Sequence, residues 1–418
     1  MDLLALADDL WRGDIRYNAF DNPGVSASID DTTLFVHGFA NVNALLTEDG
    51  LVLVDTGSTA MAELIHNSVR RWSDAPLNTA VFTHGHIDHC FGVEYYDADN
   101  ASAGVLAPRV VAHEAITDRF DRYRITGGYN EKINRRQFGL TDFVWPHDYR
   151  YPDETYKNEL IIEVGGEQFE LHHARGETDD HTWVWAPERR AVCVGDLFIW
   201  AAPNCGNPQK TQRYPIEWAH ALRKIAALNA EVLLPGHGLP VMGADRVRQA
   251  LEESAELLEY LHTETLIMMN AGATLDDIIH TVRAPDRLLE RPYLRPVYDD
   301  PEFILHNLWR QYGGWFDGNP ARLKPPRDKT LALEIATMAG GPEALAKRAL
   351  AVAKAGDLRT AAQLVQWAFV ATAPNDKARV VARAHTEIYR QRAQEETSLM
   401  AKGIFRAAMN DSEAVTDL

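Results

Sequence analysis

The sequence predicts an α/β layered fold followed by an all-helical region. Three observations carry this expectation. Between residues 51 and 234, short apolar runs that end at turn signals alternate with stretches of helical spacing. From residue 246 onward the apolar residues keep to helical spacing, and the chain becomes alanine-rich after Gly341. With 418 residues, 46% of them hydrophobic, the chain is too long for one ordinary domain and apolar enough to fill two or three cores.

Residues 51–54 form an apolar run that stops at Asp55-Thr56-Gly57. Residues 61–72 follow, with Leu64, Ile65, Val69 and Trp72 at helical spacing. Residues 79–83 form the next run and stop at a histidine cluster. Further strands are expected at 160–164, 168–172, 182–186, 191–194 and 231–234, the last ending at Pro235-Gly236. The helix expected at 246–270 carries Val247, Leu251, Leu258, Leu261 and Met268, and Gly272 stops it. Residues 283–326, rich in proline, aromatics and arginine, read as a long irregular connection. Helices are then expected from Pro342 to Gly356, from Asp357 to Ala371 with Pro374 ending it, and in two further stretches to about residue 410. The tail DSEAVTDL reads as frayed. These alanine-rich pairs resemble tetratricopeptide-type packing without a fixed repeat period. The boundary falls near 245, giving regions 1–245 and 246–418.

Charge and cysteine usage exclude several classes. Lys plus Arg number 42 against 60 Asp plus Glu, a formal charge of -18. Such a surface repels a phosphate backbone, so nucleic acid is not expected as a partner. Three cysteines, Cys90, Cys193 and Cys205, are too few and too far apart for a disulfide framework and suit a reducing compartment. The start MDLLALADDLWRGD lacks a basic n-region, and no apolar run is long enough to span a bilayer. A cytoplasmic protein without membrane association is expected.

The chemistry concentrates at Thr83-His84-Gly85-His86-Ile87-Asp88-His89, where three imidazoles and a carboxylate fall within six residues at a strand end. Imidazole and carboxylate together suit zinc and related divalent ions. A tight loop turns alternate side chains toward two ions, His84 and His86 to one, Asp88 and His89 to the other. Three more donors lie downstream, each at a strand boundary: His181 just before the run at 182, Asp196 after Val194-Gly195, and His237 in Pro235-Gly236-His237-Gly238. Strand ends are where α/β active sites form.

This pattern resembles the HxHxDH signature of the metallo-β-lactamase superfamily over roughly residues 30–245. The resemblance implies an αββα sandwich. It also implies that His84, His86 and His181 hold one metal, that Asp88, His89 and His237 hold a second, and that Asp196 bridges them. Asp55, in Val54-Asp55-Thr56-Gly57, matches the family's aspartate that orients the site. Two divalent cations, zinc first, would share a bridging hydroxide that attacks an electrophilic centre, with Asp88 also handling its proton.

Beyond residue 241, Tyr312-Gly313-Gly314-Trp315-Phe316-Asp317-Gly318-Asn319-Pro320 resembles a segment of the alkyl sulfatases. The stretch from Tyr260-Leu261-His262 to Asn270 and Met338-Ala339-Gly340-Gly341 resemble the same family's dimerisation region. This implies a homodimer and hydrolysis of a sulfate ester or related ester of a small molecule. Arg213 is similar in position to an arginine that holds sulfate in that family, and Tyr129 lies in a segment resembling the one that covers its pocket. Trp145, Phe198 and Trp200 hint at an apolar substrate portion. The chain departs from the alkyl sulfatases, which carry glutamates where it has His181 and Asp196. Lactone, carboxylic ester or thioester hydrolysis within the superfamily, and a non-catalytic helical scaffold, remain the alternatives to sulfatase activity.

Overall fold

The computed structural model describes residues 2–15, 18, 24–373 and 378–416. Pro374, expected to end a helix, lies outside them. Among the described residues, no helix is long and apolar enough to cross a membrane.

Two β-sheets form the first part of the chain. One has seven strands in sequential order: β1 (Val25–Asp30), β2 (Thr33–His37), β3 (Val42–Thr47), β4 (Gly50–Val54), β5 (Leu77–Val81), β6 (Arg109–His113) and β7 (Glu154–Tyr156). The other has six: β8 (Glu159–Val164), β9 (Glu167–His173), β10 (Thr182–Ala186), β11 (Ala191–Gly195), β12 (Val232–Pro235) and β13 (Val241–Met242). β4, β5 and β6 pair in parallel, as do β11 and β12, while hairpins link β1 to β4 and β8 to β11 antiparallel. Parallel pairs send their carboxyl ends to one edge of the sheet, the edge where sites form. β2, β4, β10, β11 and β12 are buried along their whole length, as expected for strands covered on both faces, whereas edge strand β1 alternates exposed and half-buried positions.

Helices cover the outer faces and complete the αββα sandwich. Helix Ala62–Trp72 buries Ala62, Ile65 and Val69, and helix Pro215–Ala226 buries Trp218, Leu222 and Ile225 against the 27-residue helix Ala244–Asn270. Full burial of side chains of this size contributes roughly 1.5–3 kcal/mol each. Polar ties fix one sheet on the other. Half-buried Arg189 donates from Nη1 to Thr32 O and from Nη2 to Leu46 O, while Nε and Nη2 bind the Glu167 carboxylate at 2.7 and 2.8 Å. Asn41 donates through Nδ2 to Pro235 O at 2.9 Å and Gly238 O at 3.0 Å.

The chain divides into two compact units. The first comprises Met1–Gly127, Trp145–Ala273 and Asp277–Tyr312; the second comprises Gly128–Val144, Thr274–Asp276 and Gly313–Leu418. The division differs in position from the boundary near 245: helix Ala244–Asn270 counts with the sandwich. The second unit is helical. Helices Asp328–Met338, Pro342–Lys354, Leu358–Ala371 and Ala378–Glu395 close around Ala349, Ala361, Ala368, Leu345, Val365 and Ile388, where alanines let the backbones approach. Gly356 turns at φ 93°, and Asp357 caps the next helix by accepting from Thr360 N at 3.0 Å.

Several expectations need correction. Residues 283–326 are not wholly irregular, because Pro301 opens a helix that runs Pro301–Gly313. The tail is not frayed at Asp411: helix Leu399–Thr416 carries it, with Ser412 buried and bonded to His385 Nδ1 at 3.0 Å. β1, β2, β3, β6, β7 and β13 and helix Asp328–Met338 were not anticipated.

Candidate metal centre

Five chain segments meet at one end of the sandwich, each leaving a buried strand or entering one. β4 ends at Asp55, which turns at φ 63°. β5 leads into His84, His86, Asp88 and His89, β11 into Asp196 and β12 into His237, while Glu177 and His181 precede β10. The ligand atoms of His84, His86, Glu177 and Asp196 lie within 4.8 Å of one another, as do those of Asp88, His89 and His237.

Asp196 joins the two groups. Its Oδ2 is 3.8 Å from His84 Nε2 and 3.3 Å from His237 Nε2, and its Oδ1 is 3.3 Å from His89 Nε2. Glu177 Oε2 lies 3.9 Å from both His84 Nε2 and His86 Nδ1, and Asp88 Oδ2 lies 3.7 Å from His89 Nε2 and 3.6 Å from His237 Nε2. Gly236 permits this approach, since a Cβ there would come within 2.1 Å of Asp196 Oδ1.

The imidazoles are oriented from behind. Asp55 accepts from Thr83 N at 2.7 Å and Thr83 Oγ1 at 2.9 Å, and its Oδ2 accepts from His89 Nδ1 at 2.8 Å. With the proton on Nδ1, the His89 Nε2 lone pair faces the cluster. Phe39 O holds His237 Nδ1 in the same way. Asp180 takes Gly85 N at 2.8 Å, and buried Arg119 binds Asp180 at 2.8 Å while packing where a Gly85 Cβ would sit.

A cation is the natural occupant of such a cluster. Buried His89 Nε2, Asp196 Oδ1 and Glu177 Oε2 lack hydrogen-bond partners among the described residues, which is rare for buried polar atoms. Two imidazole nitrogens, His84 Nε2 and His86 Nδ1, face each other at 2.8 Å. Burial, reinforced by neighbouring positive groups, holds His84 and His86 well below the usual histidine range, so both offer lone pairs. Burial opposes ionisation of Asp196, but His237 and His89 outweigh it and hold the carboxyl well below its usual range. Burial pushes Glu177 up, and Asp196 adds to this while Arg213 opposes it.

Six of the seven expected donors come together: His84, His86, Asp88, His89, Asp196 and His237. His181 does not. Its Nε2 bonds Val194 O at 3.0 Å, and its ring stacks behind His84 at 5.0 Å between centroids. Glu177, four residues earlier, enters the group in its stead. The sequence signal for it was a carboxylate in the same loop, Gly176-Glu177-Thr178, just ahead of His181.

Other expectations change too. Arg213 is buried rather than open to a ligand; its Nη1 donates to Glu177 Oε1 and to Asn204 O. Tyr129 is 62% exposed, in the part of helix Ala115–Phe138 that belongs to the second unit. Trp145, Phe198 and Trp200 are core residues, each 3% exposed, with Trp145 Nε1 bonded to Tyr149 and Trp200 Nε1 to Leu239 O. Cys90, Cys193 and Cys205 are all buried and unpaired.

A two-sheet sandwich with a histidine and carboxylate cluster at its loop edge defines a metal-binding α/β protein. Comparison with known proteins places it further. Residues 37–237 match the family profile of the metallo-β-lactamase superfamily, and residues 274–414 match that of alkyl sulfatase dimerisation. The chain is thus similar to the metallo-β-lactamase superfamily in its first part and to alkyl sulfatase dimerisation regions in its second. It is 28% identical over 344 residues to a linear primary-alkylsulfatase of Pseudomonas sp., covering 77% of this chain and 64% of that protein. It is 26% identical over 373 residues to an (R)-specific secondary-alkylsulfatase of Pseudomonas sp., covering 82% and 56%. The solved structure of a stereoselective inverting sec-alkylsulfatase from Pseudomonas sp. has the same fold, with a TM-score of 0.82 and 22% identity over 96% of this chain and 70% of that one. The chain thus spans less than two thirds of the two curated relatives' length.

Proposed function

We propose that this protein is a dinuclear metal-dependent hydrolase acting on a sulfate ester of a small organic molecule. The observation that carries this is Asp196, a buried carboxylate whose two oxygens face both donor groups. His84, His86 and Glu177 would hold one divalent ion and Asp88, His89 and His237 the other, with Asp196 on both and zinc the preferred metal. When bound, the pair lowers the pKa of a shared water and offsets charge developing on the substrate. Asp88, the most exposed of the donors at 20% for its side chain, would accept a proton released there. Asp55 keeps the His89 proton on Nδ1, and Arg213 fastens Glu177.

The alkylsulfatase relatives support the choice of sulfate esters, and the matched dimerisation region supports a homodimer built through the helical part beyond about residue 245. The reading is tested with a panel of alkyl sulfates, aryl sulfates, phosphoesters, lactones and thioesters on zinc- and manganese-loaded protein. Metal-dependent turnover of an alkyl sulfate is expected. Turnover of a lactone with none of any sulfate would overturn the substrate class, and absence of bound metal would overturn the mechanism. Light scattering across a wide concentration range should show a dimer.

A further inference from the structure

Among the described residues, four other than glycine turn at positive φ: Asp55, Arg190, Trp200 and Asn229. Arg190 and Asn229 precede β11 and β12, at the strand ends opposite the donors. Asp55 orients His89. Trp200, at φ 53° and 3% exposed, is a large side chain in a conformation that such residues rarely adopt. Strain of this kind persists only where the surroundings over-determine it, and it gathers at functional sites.

Trp200 grips the loop that carries His237. Its indole lies against Gly238, where a Cβ would come within 2.6 Å of Trp200 Cδ1, and its Nε1 donates to Leu239 O at 2.5 Å. Asn41 holds the same loop, donating from N to Gly236 O at 2.8 Å and from Nδ2 to Gly238 O at 3.0 Å, and Phe39 O holds the His237 ring. Trp200 is itself walled in by aromatic rings. It meets Trp11 at 6.4 Å between centroids and 90°, and Tyr293 at 6.3 Å and 81°. Trp11 and Tyr293 stack on each other at 4.9 Å and 18°. Trp11 comes from helix Leu3–Arg12, and Arg246, paired with Asp8 of that helix, lies over its ring at 5.6 Å. Contacts thus run without a break from the helix through Trp11 and Trp200 to the residue after His237.

We propose that Trp200 is a positioning residue for the ion assigned to Asp88, His89 and His237, and that helix Leu3–Arg12 holds it in place through Trp11. With Gly238 pinned under the indole and Leu239 O fixed by its N–H, His237 Nε2 keeps its place 3.6 Å from Asp88 Oδ2 and 3.3 Å from Asp196 Oδ2. His84, His86 and Glu177 arrive on other segments, after β5 and before β10, so releasing Trp200 loosens one donor group and spares the other. Phenylalanine at 200 would keep a flat face for Gly238 but lose the donor to Leu239 O. The inference rests on the dinuclear reading above.

The test compares the full-length wild type, Trp200→Phe and Trp11→Ala. Stepwise zinc affinities are read by competition with a chromophoric chelator, and nitrogen NMR of labelled histidines shows which rings hold zinc. Trp200→Phe should weaken one zinc by about tenfold or more and leave the other within about twofold of wild type. The ring that releases zinc first should be His237, while His84 and His86 keep theirs. Trp11→Ala, in the N-terminal helix, should give the same split at about threefold or more. In metal-free protein, the His237 Nδ1 proton held by Phe39 O should exchange with water about tenfold faster in Trp200→Phe. Equal weakening of both ions alongside a lower melting temperature marks a general packing role and overturns the proposal, as does loss confined to the His84 side. A split in Trp200→Phe without one in Trp11→Ala overturns the part given to the helix. A wild type that takes up no second zinc, with exchange at His237 still faster in Trp200→Phe, sinks the dinuclear reading alone. Two zincs held alike by all three proteins, with unchanged exchange, sink the positioning role alone.

Discussion

Replacing Asp55 by Asn tests how the centre is oriented. Asp55 is 2% exposed and accepts from three donors: Thr83 N at 2.7 Å, Thr83 Oγ1 at 2.9 Å and His89 Nδ1 at 2.8 Å. An asparagine of the same shape has one oxygen and one NH2 group. If the oxygen keeps Thr83 N, the NH2 faces Thr83 Oγ1, which can turn and accept, and His89 Nδ1. The imidazole must then take its other tautomer, with the proton on Nε2, and that proton points into the cluster. If His89 keeps its tautomer, two buried N–H groups oppose each other, at a cost of about 1–3 kcal/mol. Losing an orienting partner of this kind lowers metal affinity by about 10–100-fold. Asp55→Asn should therefore weaken one ion by at least about tenfold, seen by competition with a chromophoric chelator. Nitrogen NMR should show the His89 proton moving from Nδ1 to Nε2. Metal affinity within about twofold of wild type, with the Nδ1 tautomer retained, would refute the argument.

Glu177→Gln should reduce bound metal toward one ion per chain, whereas His181→Gln should leave metal content intact; elemental analysis showing the reverse would restore His181 as the donor. Asp196→Ala should abolish hydrolysis and lower metal content while circular dichroism stays near wild type, and full metal with normal turnover would remove it from the centre. In the helical unit, burial pushes His385 down to about 4, between Ser412 on Nδ1 and Gln366 on Nε2. A histidine with a depressed folded pKa gives stability that is complete above its unfolded value of about 6.5 and lost as pH falls toward 4, at most about 3 kcal/mol. Denaturant melts of that unit should show this loss, and His385→Gln should flatten it; an unchanged slope in the variant would mean that other groups carry the acid sensitivity.

What the sequence makes legible is what chemistry places close together along it. His84, His86, Asp88 and His89 share one loop, so their grouping is visible before folding. Asp196 and His237 each follow an apolar run whose end is itself visible. Glu177 and His181 are harder, because both precede β10 within four residues and imidazole is the more familiar donor. The choice depends on distant groups: Val194 O takes the His181 ring, and Arg213 and Asn204 hold the Glu177 carboxylate. β1 to β3 escaped notice because polar residues interrupt their pattern, including Ser26, Ser28 and the buried Asn43. Helix Pro301–Gly313 was hidden by the prolines and arginines around it, although Pro301 opens it and Ile304, Leu305 and Leu308 face inward at helical spacing. Arg213 is hard to place for a related reason: sequence shows that a cation borders the site, but not whether a buried carboxylate also holds it.

That last point bears on how an acidic protein can recognise an anion. A net charge of -18 sets an unfavourable field, yet salt screens exposed charges beyond about 8 Å, so the balance at the mouth of the site decides recognition. In the dinuclear reading, the charges of two divalent ions exceed those of Asp88, Glu177 and Asp196. Arg119 and Arg213 are each already paired with carboxylates. The positive charge left over then belongs to the ions themselves. Arg213 gives its Nη1 to Glu177 Oε1 and to Asn204 O and stays fixed, which suits an always-charged guanidinium. Arg213→Lys, which keeps the charge but not the planar guanidinium, should therefore weaken the hold on Glu177.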